Sequence, residues 1–344
     1  MQKRETFLIK HKFNNHPNCK LTMNSKRGQE PRKRKATKNP VLPEEEAEVD
    51  SILKERARRG KKQFLCSWMD GAEPQWVDGD QLENTPVLRE WEYSADDDKA
   101  IRDSPKEIER KCQQLKEWIG DAKRVCWLLG AGISAPVLPT FRGKGGLWTR
   151  NPTENTASVT DAEPTVAHKA LLELEKAGKV YWCATQNYDG LSLKSGFPAE
   201  KLSELHGNIF VEKCEKCATR YVREYEVVKD DAEDHETGRT CDRKDCKGML
   251  KDNIVHFDES LPWKELSLAN AKFVAADLTV VLGSSLRVHP AAGLPFKSKR
   301  RRRLPPKPKA VIVNLQETPM DDEADLLIHA TCDEVLQFLT KKTG

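Results

Sequence analysis

The sequence lacks long hydrophobic runs. None of its 344 residues lie in a stretch that approaches the roughly 18 apolar residues of a membrane helix. The first residues also lack the apolar core of a secretory signal peptide. Mean hydropathy is −0.70. We therefore expect an intracellular protein that does not enter membranes, whose ten cysteines are free thiols or metal ligands rather than disulfides.

Acidic residues are scarce at the start of the chain. Residues 1–40 carry twelve Lys or Arg and two Glu, a balance of +10 against +4 overall, so the remainder carries −6. This composition predicts a disordered basic arm over residues 1–43. For residues 31–35 we favour a nuclear import signal, and we expect residues 31–38 to contact chromatin or nucleic acid. A solubilising tail is an equal alternative for residues 1–30.

A second basic run lies near the end of the chain, where eight of the thirteen residues 297–309 are Lys or Arg. Its prolines disfavour helix or strand. We expect an exposed loop that serves as a nuclear signal or contacts the phosphate backbone of chromatin. A merely solvated loop is the alternative.

Residues 44–92 show the pattern of a small β-rich module, followed by a polar linker at 93–104. Three strands and a closing helix are predicted, at residues 47–53, 64–68, 75–77 and 85–91. The run V-x-x-I-L, a basic turn and F-L-x-x-W resemble a chromodomain, whose aromatic cage binds methylated lysine. Trp68 matches one cage position, but Ala47 replaces another aromatic residue. We therefore expect a docking or structural module, with methyl-lysine binding as the alternative.

The remaining chain, residues 105–340, contains four short apolar runs that end in small or polar residues. The first run is followed by Gly130-x-Gly132-x-x-Ala135, which satisfies the dinucleotide-binding fingerprint but is also compatible with a simple tight turn. The runs span residues 125–129, 179–184, 278–282 and 310–313. Runs of this kind are typical of strands buried in a parallel sheet, whose ligands bind at the carboxyl ends. Together they predict an α/β fold with a doubly wound parallel sheet.

Four cysteines interrupt this pattern, within a polar insert at about residues 209–252. Cys214 and Cys217 form one pair, and Cys241 and Cys246 form a second pair after 23 intervening residues. Two such pairs in an intracellular chain are typical of a structural zinc site with four thiolate ligands. Unlinked cysteines are the less favoured alternative. We expect a small zinc-binding domain beside the sheet.

The motifs of residues 105–340 resemble those of the sirtuin family. They are G-A-G-I-S (130–134), P-x-F-R-G (139–143), G-L-W (146–148), T-Q-N-x-D-G-L (185–191), L-H-G-N (205–208), the cysteine pairs, G-S-S-L (283–286) and V-N-L-Q (313–316). The runs at 234–241, 254–257 and 318–322 are similar to the class IV branch of nuclear, chromatin-associated sirtuins. The resemblance implies an NAD-dependent protein lysine deacylase that yields nicotinamide and O-acyl-ADP-ribose.

The same resemblance assigns roles to individual residues. His206 is expected to be the general base and Asn187 to orient the ribose and water. Val255, His256 and Phe257 are expected to pair with an acylated lysine peptide, with histone tails as the expected source. The residues expected to bind NAD are Gly130, Ala131, Gly132, Ser134, Thr140, Phe141, Arg142, Trp148, Gln186, Asn187, Asp189, His206, Gly283, Ser284, Ser285, Asn314, Leu315, Gln316 and Cys332.

The chain departs from the family pattern in four places. The segment between Ser134 and Pro139 is one residue short, Thr140 replaces an Asp, Tyr188 replaces a smaller apolar residue, and Asp258 replaces a Gly. These changes are compatible with slow deacetylation, a preference for longer acyl chains, or mono-ADP-ribosyl transfer. A chromatin-binding scaffold or NAD sensor with little activity is the rival hypothesis.

Overall fold

The computed structural model describes most of the chain. The described residues are 20–22, 46–58, 61–68, 73–82, 100–140, 158–228, 234–256, 259–301 and 307–341. Two compact units are present, one of residues 9–96 and the other of residues 1–8 with 97–344. Across the described residues, every helix is too short or too polar to traverse a bilayer.

The smaller unit is an antiparallel sheet with the strand order β1-β2-β3-β4. Its elements are β1 (Lys20–Thr22), β2 (Glu46–Arg58), β3 (Lys61–Trp68), β4 (Gln75–Asp78) and the single turn α1 (Gly79–Leu82). The three predicted strands are present, and β1 arises within residues predicted as a disordered arm. Phe64, Cys66, Val77 and Leu82 are buried in its core. The predicted helix at 85–91 and the side chains of Ala47 and Trp68 lie outside the description.

The larger unit is built on six parallel strands. These are β5 (Val125–Leu129), β6 (Trp182–Thr185), β7 (Leu202–Glu204), β12 (Leu278–Leu282), β13 (Lys309–Val313) and β14 (Leu326–Ile328). Their order is β14-β13-β12-β5-β6-β7. The chain therefore winds outward from β5 in one direction, then returns and winds outward from β12 in the other. This is the predicted doubly wound fold, with its switch point between β5 and β12.

Helices cover both faces of this sheet. They are α2 (Pro105–Asp121), α3 (Val166–Lys176), α4 (Leu191–Lys194), α5 (Trp263–Ala275), α6 (Lys297–Arg301) and α7 (Cys332–Thr340). Side chains of β5 alternate between the two faces. Trp127 belongs to the core formed with α2, α3 and α7, and Leu128 to the core formed with α5.

Helix α2 shows how the sequence pattern produces this packing. Cys112, Leu115 and Ile119 recur at intervals of three and four residues and are all buried. The Ser104 side chain caps the first turn, and Pro105 occupies the first helical position. The helix thus packs this apolar face on the sheet and ends at Asp121.

The polar insert forms a separate antiparallel sheet with the order β10-β11-β8-β9. Its strands are β8 (Val211–Cys214), β9 (Arg220–Val222), β10 (Glu236–Thr240) and β11 (Met249–Asp252). This insert follows β7, so it lies in sequence between the two halves of the parallel sheet. The predicted smaller domain is confirmed.

Candidate functional site

The loops after β5 and β12 pack backbone against backbone at the switch point. Gly130 N–H donates to Leu282 O at 2.9 Å, and Gly132 N–H donates to Gly283 O at 2.8 Å. A Cβ on Gly130 would lie 2.6 Å from Gly283 O, and a Cβ on Gly132 would lie 2.6 Å from Gly283 Cα. Glycine is therefore required at both positions for the two loops to contact each other, because no side chain fits between these backbones.

Polar residues after β6 face the same turn. Asn187 Nδ2 donates to Gly130 O at 3.1 Å and to Ser134 Oγ at 3.3 Å. Ser134 Oγ in turn donates to Asp189 Oδ2 at 2.6 Å. Burial raises the pKa of Asp189 above its usual range, although hydrogen bonds from Ser134 and Leu191 act in the opposite direction. Three residues predicted to bind NAD thus share one buried hydrogen-bond network.

The candidate base, His206, lies on the loop after β7. Its Nδ1 is 2.7 Å from Gln186 O. Because a carbonyl oxygen only accepts, Nδ1 carries the hydrogen and the lone pair is left on Nε2. Burial lowers the pKa of His206, and the hydrogen bond to Gln186 only partly offsets this. The side chain is therefore suited to act as a neutral base at physiological pH.

Gln186 connects the base to the loop after β12. Its Nε2 donates to Ser284 Oγ at 2.8 Å, while its carbonyl accepts from His206. Ser284 is buried, and Ser285 beside it is half-buried. The polar turns after β6, β7 and β12 are consequently joined in one cluster at the carboxyl edge of the sheet.

The other predicted NAD-binding residues follow β13 and begin α7. Asn314 Nδ2 donates to Gln316 O at 2.9 Å, and Leu315 O accepts from Ile101 N–H at 2.6 Å. Cys332 is buried, and burial raises the pKa of its thiol to about 12. It is therefore a neutral side chain at the start of α7.

Several predicted residues cannot be placed in this site. Phe141, Arg142, Trp148 and Phe257 lie outside the described residues. Thr140 is half-buried at the last described position before that gap. Their roles stay predictions.

The predicted peptide-binding segment lies directly against the His206 loop. Val255 N–H donates to His206 O at 3.1 Å, and Asn208 N–H donates to Asn253 Oδ1 at 3.0 Å. A Cβ on Gly207 would lie only 1.9 Å from Asn253 O, so glycine is required there. Val255 and His256 thus adjoin the candidate base.

The four predicted metal ligands come together in the insert. All four sulfur atoms lie within 4.8 Å of one another. Cys214 Sγ is 3.5 Å from Cys246 Sγ, and Cys217 Sγ is 3.6 Å from Cys241 Sγ. Four sulfurs about 2.3 Å from a tetrahedral zinc ion would lie about 3.8 Å apart. The cluster therefore fits the predicted structural zinc ion.

The second basic run is not an exposed loop at its two ends, contrary to the prediction, because residues 297–301 form α6 and Lys309 begins β13. Lys297 Nζ donates to Asn270, and Lys299 Nζ donates to Glu323 O at 2.6 Å and contacts Asp325 at 2.8 Å. Lys309 Nζ lies 4.0 Å from the centre of the Trp118 ring. These three lysines hold the run to the protein, a role that charge counting did not indicate.

Sequence reasoning assigned no individual role to Asn253, His235 or Glu259. His235 bonds to residues 17 and 24 positions away. Contacts at this separation form only when the insert folds, so no local motif marks them. Asn208 carried a signal, since it belongs to the L-H-G-N motif.

Comparison with known proteins places this site in a family. A sequence model described as the Sir2 family matches residues 151–290. The chain is 40% identical over 260 residues to the NAD-dependent protein deacetylase sirtuin-7 of Bos taurus, covering 71% of this chain and 62% of that protein. It is 36% identical over 253 residues to the NAD-dependent protein deacetylase Sirt6 of Drosophila melanogaster, covering 70% and 78%.

A solved structure of Sir2 with a p53 peptide and NAD+ is also similar. It shares 34% identity and a TM-score of 0.52, and the match covers 66% of this chain and 96% of that one. The chain spans about 62% of the length of its sirtuin-7 relative. The identity and the coverage lead to one conclusion: this chain belongs to the Sir2 family.

Proposed function

We propose that this protein is an NAD-dependent protein lysine deacylase. One observation carries the proposal: Asn187 bonds to the glycine turn at the switch point of the sheet, Asp189 bonds to Ser134 beside that turn, and His206 bonds to Gln186, next to Asn187. That position is where doubly wound sheets bind dinucleotides. Relatives named as NAD-dependent deacetylases support the assignment.

The residues have distinct roles in this proposal. NAD+ supplies the ADP-ribosyl group that takes up the acyl group, and nicotinamide leaves. Asn187 is held at the glycine turn and orients the ribose and water. Asp189 is buried beside it and binds the nicotinamide carboxamide. His206 accepts a proton from a ribose hydroxyl at Nε2, because its Nδ1 is occupied by Gln186 O.

The test is nicotinamide release by the full-length protein with acetyl-lysine and long-acyl-lysine histone peptides. We expect release with at least one peptide, and loss of release in His206→Ala, whose zinc content should equal that of the wild type. Absence of release above this variant with every peptide would favour a scaffold or NAD sensor. Labelled ADP-ribose appearing on protein, without deacylated peptide, would identify an ADP-ribosyltransferase instead.

We also infer that the protein acts in the nucleus on histone tails and contacts chromatin through its basic segments. The dense basic runs at 31–38 and 297–309 support this inference. Since Lys297, Lys299 and Lys309 contact the protein itself, we assign the chromatin contact to the arginines at 300–303, together with residues 31–38. The β-rich unit at 44–92 is assigned as a chromodomain-like docking module.

Salt dependence tests the chromatin contact. Each phosphate contact contributes about −0.9 to the slope of log K against log salt concentration. Replacing the arginines at 300–303 by Gln should therefore flatten the slope for nucleosome binding by up to about 3 to 4. Lys299→Gln, the matched control, should leave the slope unchanged. Equal slopes for all three proteins would remove this segment from the interface.

A further inference from the structure

Two carboxylates flank the predicted peptide-binding segment. Asp252 ends β11, and its Oδ1 accepts the N–H of Ile254 at 3.0 Å. Glu259 follows the segment, and its Oε2 accepts the N–H of His256 at 2.8 Å. Each carboxylate therefore binds the backbone of the segment directly, one from either side.

The imidazole of His235 connects these two carboxylates. Its Nδ1 is 2.9 Å from Asp252 Oδ1, and its Nε2 is 2.9 Å from Glu259 Oε1. The ring also stacks on that of His256, with centroids 4.7 Å apart and planes inclined by 27°. His235 thus contacts both ends of the segment and one of its side chains.

The backbone of His235 is held in an uncommon conformation. Its φ is +63°, a left-handed value that non-glycine residues adopt at a cost in free energy. Its carbonyl accepts the N–H of Asp252 at 2.9 Å. The contacts on both sides of the ring offset this cost, so the side chain is aimed at the carboxylates by the fold.

Only the protonated ring satisfies both partners. A neutral imidazole has one N–H, whereas an imidazolium donates from both nitrogens. Asp252 and Glu259 are the charged groups that face the ring, and His256 is the titratable group stacked on it. Burial alone would lower the pKa of His235, but the hydrogen bonds to Glu259 and Asp252 outweigh it and the pKa is raised.

On the opposite side, the segment is anchored to the candidate base. Val255 N–H donates to His206 O, and Asn253 packs on Gly207. Movement of the segment would therefore change the edge along which a substrate strand pairs.

We propose that His235, as an imidazolium bridging Asp252 and Glu259, is a positioning residue that holds residues 254–256 in the form that binds the acyl-lysine peptide. This role rests on the proposed deacylase function. It predicts an effect on peptide affinity rather than on the chemical step, since His235 touches neither Asn187 nor His206 in the contacts described. Because the pKa is raised, the bridge is intact at low pH and is lost as pH rises.

The test uses the full-length protein, with nicotinamide release measured against peptide concentration from pH 6 to pH 9. In His235→Gln we expect the peptide KM to rise about tenfold, as for loss of a charge-assisted hydrogen bond, with kcat within twofold of the wild type. In the wild type KM should rise with pH. His235→Arg, which keeps two donors and does not titrate in this range, should retain a lower KM that is independent of pH. Glu224→Gln, an exposed change in the same insert, is the matched control.

Two readouts separate positioning from folding and from the proposed function. Zinc content and melting temperature show whether a variant is folded. Anisotropy of a fluorescein-labelled acetyl-lysine peptide reports affinity without catalysis. If the wild type releases no nicotinamide, the proposed function is wrong. The role of His235 is then tested by its effect on peptide affinity alone. A folded His235→Gln variant with wild-type KM, pH profile and peptide affinity would overturn the positioning role. A variant that loses kcat and bound zinc to the same extent would also overturn it.

Discussion

A Cβ built on Gly132 would lie 2.6 Å from the Cα of Gly283. Because the contact is between two backbones, neither side can yield as a flexible side chain would. We expect Gly132→Ala to separate the two loops and destabilise the protein by about 1–3 kcal/mol, the usual cost of overpacking. Nicotinamide release should fall with it.

The chain offers a matched control for this prediction. A Cβ on Gly120 meets nothing within 4 Å, and the residue lies in helix α2. Gly120→Ala should raise the free energy of unfolding by about 0.5–1 kcal/mol, because alanine favours the helix. Urea denaturation of both variants is the measurement. Equal stability of Gly132→Ala and wild type would contradict the close packing of the loops.

The tautomer of His206 predicts a pH profile. Nε2 accepts a proton only in the neutral ring, and burial lowers the pKa of His206 below its usual value near 6.5. The rate of nicotinamide release should therefore rise with pH, with the midpoint of the rise below the usual value for histidine. The measurement is kcat/KM between pH 4.5 and 8 at saturating NAD+, with unfolding checked at each pH. A rise centred above pH 7 would contradict the assigned environment.

The sequence predicted the parallel strands well because buried strands leave unbroken apolar runs. Strands β5, β12 and β13 match the predicted bounds within one residue, whereas β6 begins at Trp182, three residues late. The three-residue strands β7 and β14 are too short to leave a pattern.

Residues of the candidate site were easier to predict when they belong to a local motif than when their partners are distant in sequence. Asn187 and His206 were predicted as site residues because they belong to compact motifs, and that assignment rested on family resemblance. The bridge made by His235 was not found, since its partners Asp252 and Glu259 are brought to it by the folded insert. Lys299 was misjudged for the same reason: charge is visible in sequence, but its partner Asp325 is not.

The four-cysteine cluster predicts loss of metal on single substitution. Cys217→Ala leaves three thiols around the site, and we expect the bound zinc to fall well below one ion per chain and the insert to unfold. Cys112→Ala, a buried cysteine of α2, should keep full zinc while losing stability modestly. Metal content by mass spectrometry, with and without a chelator, is the measurement. Full zinc in Cys217→Ala would exclude it as a ligand.

His168 predicts a specific loss of stability in acid. The side chain is 2% exposed, its Nδ1 is 2.9 Å from Thr165 Oγ1, and its Nε2 is buried without a hydrogen-bond partner among the described residues. Burial lowers the pKa of His168 to about 4. In the unfolded chain the ring titrates near 6.5, so below that pH the unfolded state binds the proton first.

The stability contributed by neutral His168 is therefore present above pH 6.5 and is lost between about pH 6.5 and 4, by about 3 kcal/mol at most. His168→Asn, whose amide can still bond to Thr165, should show a shallower fall of unfolding free energy over this range. His289→Asn, an exposed change, should follow the wild type. Urea denaturation at several pH values is the measurement. The wild type and the two variants share the same cysteines, so any contribution of the cysteines to the pH dependence cancels when the slopes of unfolding free energy against pH are compared. Identical slopes for His168→Asn and the wild type would contradict the lowered pKa of His168, because the ring would then take up its proton at the same pH in the folded and unfolded states.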